Sequence, residues 1–206
     1  MVSNSNSDWG LLRLRAIESG DLPTIQQWQT SPELRDQFVG WPLPINENQV
    51  REWWLDQDRT PTPQKITFCI EYDNEPVGVL SVSELNWIHR SGSVSIYIGE
   101  SGLRGKGLGK KSLLISSDFV FRSLGFQRLA ARIAADNLAS IQAFKSVGFS
   151  HEGTLRNYYF LEGSWSNAVL MGLLTSDDRQ ALPLDANSLG GRGLFASSNL
   201  EEGTER

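Results

Sequence analysis

The sequence predicts a mixed α/β (α+β) layer fold, on three observations. Stretches that alternate apolar and polar residues recur among stretches of helical periodicity, in the order β-α-α-β-β-β-α-β-α-β-β. A glycine-rich loop leaves a strand and feeds directly into a helix near residues 99–109. The 206 residues, 39% of them hydrophobic, suffice for one sizeable core and are too few for two ordinary domains with a linker.

Residues 1–10 read as a disordered polar lead-in, ahead of a single domain over 11–174. Leu11–Ile17 alternates apolar and basic residues and suits a first strand. Ser19–Thr30 reads as a short helix with Asp21 as its N-cap and Pro23 just inside. A proline-rich loop around Trp41 follows, and Asn46 with Gln49 resembles a capping box ahead of a helix bearing Val50, Trp53 and Trp54. Lys65–Tyr72 and Val77–Leu85 read as a hairpin about the turn 73–76, and Gly92–Ile98 as a further strand. Gly109–Leu124 is helical, with apolar residues on two faces, so it is expected to be covered on two sides. Leu129–Ala134 is a strand, Leu138–Val147 a helix closed by Gly148, and Ser150–Phe160 and Asn167–Leu174 are two last strands. Residues 175–206, rich in glycine and without periodicity, read as a poorly ordered tail.

Composition excludes several function classes. A formal charge of −5 and a pI near 5.1 argue against a broad phosphate-neutralising surface, so no direct nucleic-acid partner is expected. One cysteine, Cys69, allows neither an internal disulfide nor a cysteine-based zinc site, and two histidines make a multi-histidine metal site unexpected. No stretch approaches the roughly 18 unbroken apolar residues of a membrane span, and the polar start lacks a signal peptide's pattern. The expected location is cytoplasmic, with no membrane partner.

The most informative segment is Ile98-Gly-Glu-Ser-Gly-Leu-Arg-Gly-Lys-Gly-Leu-Gly-Lys-Lys111. Glycines 105, 107 and 109 let backbone approach a ligand closely, and the unpaired amides of a helix start point at it. Arg104, Lys106, Lys110 and Lys111 add positive charge, so the segment is built to hold an anion. It is not a P-loop: Gly102 and Gly107 have the right gap, but Leu108 stands where lysine is required. Nor is it the dinucleotide fingerprint, because Gly105, Gly107 and Gly109 run Gly-x-Gly-x-Gly after a hairpin strand.

The pattern Arg104-Gly-Lys-Gly107-Leu-Gly109 resembles the coenzyme A pyrophosphate loop of the GCN5-related N-acetyltransferase (GNAT) superfamily. Downstream, Asn137-Leu-Ala-Ser140, then Phe144, Gly148-Phe149 and Glu152-Gly153, resemble that family's second element. Glu162-Gly163-Ser-Trp165 resembles the final hairpin of its ribosomal-protein-alanine and spermidine acetyltransferase branch. The resemblance covers residues 11–174 and implies the GNAT fold, a mostly antiparallel seven-stranded splayed sheet flanked by about four helices. It also implies an acetyl-CoA-dependent N-acetyltransferase acting by direct attack of a primary amine in a ternary complex, without a metal. The acceptor stays open between a protein N-terminus, a polyamine and an amino-sugar nucleotide, and a homodimer fits the family. The alternative is a non-catalytic protein of the same fold that holds acyl-CoA or CoA as a sensor or scaffold.

By the same resemblance, pantetheine lies along Val94, Ile96 and Ile98. Leu103, Arg104, Gly105, Lys106, Gly107, Leu108, Gly109 and Lys110 hold the pyrophosphate. Asn137 and Ser140 bond the pantetheine arm, although simple N-capping explains them too. Phe144 faces the thiol end and Lys145 the phosphates. Two positions depart from the family: Phe144 stands where many members have a tyrosine acid, and Ser93 near where many have a glutamate base. Glu84 and Tyr158 are the candidate catalytic replacements, while Trp41, His89 and Tyr159 are candidates for the acceptor groove. A surface carboxylate, a loop histidine and packed tyrosines are the ordinary readings of these same residues.

Overall fold

In the computed structural model, residues 11–31, 34, 46, 48–49, 51–52, 62–161 and 163–177 are described. Seven strands form one sheet: β1 (Leu12–Ala16), β2 (Ile66–Tyr72), β3 (Glu75–Asn86), β4 (Ser91–Ile98), β5 (Arg128–Ala134), β6 (Ser150–Leu161) and β7 (Ser164–Leu174). Their spatial order is β1-β2-β3-β4-β5-β7-β6. All neighbours pair antiparallel except β4 and β5, which run parallel. Three α-helices have described bounds: α1 (Leu22–Thr30), α2 (Leu108–Asp118) and α3 (Leu138–Val147). The backbone is also helical at 48, 49, 51 and 52. There Asn46 and Gln49 exchange backbone-to-side-chain bonds of 2.9 and 3.0 Å, the capping box that their spacing predicts.

Strand alternation divides the sheet into two faces. On one, Leu14, Phe68, Leu80, Val82, Val94, Leu129, Ala131 and Met171 form the main core with α2 and α3. On the other, Ile17, Leu22, Ile25, Trp28, Cys69 and Val79 form a second cluster under α1. Helix α2 is buried almost all round, as its two apolar faces predict, and widens into a π turn over Phe119–Ser123. Burial pushes the Cys69 thiol up to about 12, so this cysteine is a packed apolar group and no nucleophile.

Two local readings are corrected. Asp21 precedes α1 but makes no side-chain cap bond. Its carboxylate instead accepts from Arg15 at 2.7 and 2.9 Å and from the Glu18 amide at 2.8 Å, because a buried carboxylate is better served by a guanidinium than by a lone amide. Residues 175–177, read as tail, are held: Thr175 donates through its amide to the Gln127 carbonyl at 3.1 Å and through its hydroxyl to that of Phe126 at 3.2 Å. The lead-in 1–10 and residues 178–206 lie outside the described residues.

Candidate active site

The site begins where β4 and β5 part. Their parallel pairing comprises Ser91–Arg128, Gly92–Leu129 and Ser93–Ala130, and goes no further. Beyond Ser93, β4 runs on through Val94, Ile96 and Ile98 with β3 on one side alone, while β5 beyond Ala130 keeps only β7, its partner along its whole length. The carbonyls and amides of β4 on its open side therefore face a wedge between two diverging strands. A ligand laid in that wedge can take sheet-like bonds from backbone.

The glycine loop closes the wide end of the wedge. A short 3-10 turn, Ser101–Leu103, leads from β4 into α2, whose N-cap is Gly107. Gly105 and Gly107 have φ of +73° and +81°, the left-handed region that favours glycine. Gly109 has no such need, and a Cβ on it would meet no protein atom within 4 Å; the same holds for Gly102. Neither backbone nor packing requires glycine at these two places, which leaves the loop surface open for close approach by a ligand. The first α2 amides have no carbonyl one turn back, and Lys106 and Lys110 are exposed beside them. This fits a pyrophosphate. Arg104 also has a structural part: its Nε and Nη2 donate to the carbonyls of Ile98 and Gly99 at 3.1 and 3.2 Å, so its side chain fastens the loop to the end of β4.

On the far side of the wedge, Asn137 caps α3, its Oδ1 accepting from the Ser140 amide at 3.0 Å. The capping reading is therefore realised, and the Asn137 amide group and the Ser140 hydroxyl lie at the same helix start. Phe144 is buried and meets Phe149 edge to face at 4.9 Å, so it serves the core of α3. Lys145 is exposed in the last turn.

Opposite α2 and α3, the sheet face around Ser93 is polar, with the Ser83 hydroxyl donating to the Ser93 carbonyl at 3.4 Å. Glu84 occupies a bulge between Ser83 and Asn86 with φ +53°, a left-handed conformation that costs a non-glycine residue about 1–2 kcal/mol. It is no free carboxylate. It forms an ion pair with Arg132 of β5, which raises the guanidinium's pKa through that hydrogen bond. Arg132 was not anticipated by the sequence reading. It alternates with the core residues Ala131 and Ile133, so it projects from the opposite face, two residues beyond the last β4–β5 pair.

Tyr158 and Tyr159 pack edge to face at 4.7 Å beside Arg132, and the Tyr159 hydroxyl donates to the Arg132 carbonyl at 3.4 Å. Burial, then Tyr158, raises the Tyr159 phenol above its ordinary value, so Tyr159 is neutral at physiological pH. Lys65 also escaped the sequence reading. It precedes the cross-strand row Ile66–Val82–Val94, and burial lowers its ammonium to about 8. His89 is corrected: it is exposed in the β3–β4 turn, its amide bonded to the Asn86 side chain, at the closed end of the wedge. Trp41 lies outside the described residues. No cluster of metal-ligating side chains occurs among the described residues, and none of their helices is long and apolar enough to cross a membrane.

Comparison with known proteins accords with this geometry. Residues 12–150 match the family described as an acetyltransferase (GNAT) domain. Spermidine N(1)-acetyltransferase of Escherichia coli K12 is 31% identical over 160 residues, covering 78% of this chain and 84% of that protein. An uncharacterized N-acetyltransferase, YokL, of Bacillus subtilis is 26% identical over 163 residues, covering 79% and 89%. Among solved structures, a spermidine N-acetyltransferase from Vibrio cholerae in complex with CoA and spermine superposes with a TM-score of 0.75 at 23% identity. That match covers 81% of this chain and 97% of that one.

Proposed function

The chain belongs to the GNAT acetyltransferase family, in its spermidine acetyltransferase-like branch, and is an acetyl-CoA-dependent N-acetyltransferase; from that premise we propose how its domain, residues 11–174, does the work. The carrying observation is the wedge beyond Ser93–Ala130 with the open glycine loop at its wide end. The loop from Leu103 to Lys110 holds the pyrophosphate. The free edge of β4 at Val94, Ile96 and Ile98 aligns the pantetheine, and Asn137 with Ser140 steadies it from the start of α3. Acetyl-CoA supplies the activated acetyl group. The primary amine approaches from the opposite face, past Ser93, and attacks the thioester carbonyl in a ternary complex.

This arrangement acts chiefly by placement, which is worth several orders of magnitude when nucleophile and carbonyl are held in line. Amides along the free β4 edge serve the developing oxyanion. An alkylammonium with a pKa near 10 needs roughly 4 kcal/mol to deprotonate at neutral pH. Water in the exposed groove takes that proton. A departing thiolate of pKa about 8.5 needs no acid where Phe144 stands.

The direct test is acetyl-CoA-dependent thiol release against spermidine, a ribosomal-protein N-terminal peptide and an amino-sugar nucleotide. Spermidine is included because of the Escherichia coli relative. Turnover on any of them supports the reading and opens the acceptor question. Coenzyme A binding with silence across a wide amine panel favours the non-catalytic CoA-holding alternative.

A further inference from the structure

We infer that Glu84 and Arg132 form an exchangeable charge pair that selects the acceptor, and that the acceptor is an amine bearing a carboxylate on the adjacent carbon. An α-amino acid fits this description and a polyamine does not. The inference rests on the acetyltransfer reading above and names the substrate class of that same site.

The argument starts from position. Glu84 leaves β3 at a bulge, and Arg132 lies on β5, so their ion pair spans the intervening strand β4. It does so beside the last β4–β5 pair, Ser93–Ala130, on the face away from α2 and α3. An amine reaching a thioester laid along β4 from that face must pass this pair. Both side chains are accessible, with 59% and 36% of their surface exposed, so the pair is a weak one that an incoming charge can split. Such a pair gives the fold little. Yet Glu84 stands at φ +53° where it makes this pair, and backbone strain of this kind clusters at functional sites.

Charge balance then decides between acceptors. An entering ammonium takes Glu84 and releases Arg132. A polyamine leaves that guanidinium without its carboxylate and brings a further cation beside it. An α-amino acid places its ammonium on Glu84 and its carboxylate on Arg132, so every charge keeps a partner. The planar guanidinium fork matches a carboxylate in a way an ammonium cannot. A second Arg–Glu pair on this face, Arg128 with Glu152, shows the contrast. It sits at the closed end, where Arg128 pairs with Ser91 in register, and Glu152 lies tight over Gly172. Tyr158 and Tyr159 stand beside Arg132, and Tyr158 is 42% exposed, which offers an apolar or aromatic side chain a surface to lie on.

The test compares acceptors that differ by the carboxylate alone: L-phenylalanine against phenethylamine, and L-leucine against isopentylamine, with spermidine alongside. Wild-type kcat/KM is expected to favour each amino acid over its amine by about 10-fold or more, the worth of a charge-assisted guanidinium–carboxylate contact. Arg132→Gln is expected to remove most of that preference, by lowering kcat/KM for the amino acids far more than for the amines. Glu84→Gln is expected to weaken both. Circular dichroism and coenzyme A calorimetry establish that each variant is folded and loaded. Efficient acetylation of spermidine or the plain amines, an equal loss on both classes in Arg132→Gln, or no turnover of either amino acid by protein that binds coenzyme A would each overturn the inference. Failure of the wild type to bind coenzyme A would instead be the failure of the acetyltransfer reading.

Discussion

A Cβ at Gly109 would meet no protein atom within 4 Å, and the residue stands in the first turn of α2 without a left-handed φ, so the fold does not ask for glycine there. Alanine would favour the helix by up to about 1 kcal/mol. It would also push a methyl group into the space where a pyrophosphate must approach the amides. Gly109→Ala is therefore expected to melt no lower than the wild type while binding coenzyme A at least about tenfold more weakly, a loss of about 1.4 kcal/mol. Thermal melts and calorimetry on the same preparation decide it, and unchanged affinity would remove Gly109 from the coenzyme site. Gly99 is a glycine of the other kind: a Cβ on it would run into the Trp28 indole, whose Nε1 donates to Glu100 at 3.0 Å. The one glycine faces open space, the other a neighbour. Residue spacing cannot tell them apart, because both belong to one glycine-rich segment.

Helix α3 carries its own start and stop. Asn137 caps it and Gly148 ends it at φ +109°, which is why the range Leu138–Val147 was legible in the sequence to the residue. The β2–β3 turn was legible for the same reason, since Asp73 and Asn74 both tolerate the left-handed region at φ 54° and 63°. What the cap does beyond capping is separable by chemistry. Asn137→Ser keeps an oxygen for the Ser140 amide but replaces the two amide N–H donors by one hydroxyl on a shorter side chain, whereas Asn137→Ala loses acceptor and donors alike. The serine variant is expected to keep the stability of the wild type within about 0.5 kcal/mol and the alanine variant to lose about 1 kcal/mol. Both should bind coenzyme A more weakly if the amide group bonds the pantetheine arm. Wild-type affinity in the serine variant would make Asn137 a cap and nothing more.

At the scale of the molecule, local signals stop and pairing across the sheet begins. The motif loop and the capped helices are contiguous in sequence, so their residues and their expected ligand could be read together. The Glu84–Arg132 pair joins residues 48 apart, and the bulge that aims Glu84 has no glycine or proline to announce it. The same is true of the network that ties the first strand to the sheet. Arg13 and Arg15 of β1 both bond Glu71 of β2, and Arg15 also bonds Asp21 ahead of α1. Burial pulls both carboxylates up, but the arginine bonds outweigh it and hold Asp21 and Glu71 below their ordinary values of 3.8 and 4.5. A carboxylate whose folded pKa is depressed adds stability that is present above its unfolded pKa and lost as pH falls toward the folded one. The wild type should therefore hold its melting temperature from neutral pH down to about 5 and lose it steeply below about 4.5. Glu71→Gln should start about 1–3 kcal/mol less stable at pH 7, because glutamine cannot neutralise two guanidinium groups. Its melting temperature should then fall less with acid, so that the two curves draw together near pH 3. Parallel curves over that range would show that Glu71 gains nothing from Arg13 and Arg15 on folding, and that acid acts on this protein elsewhere.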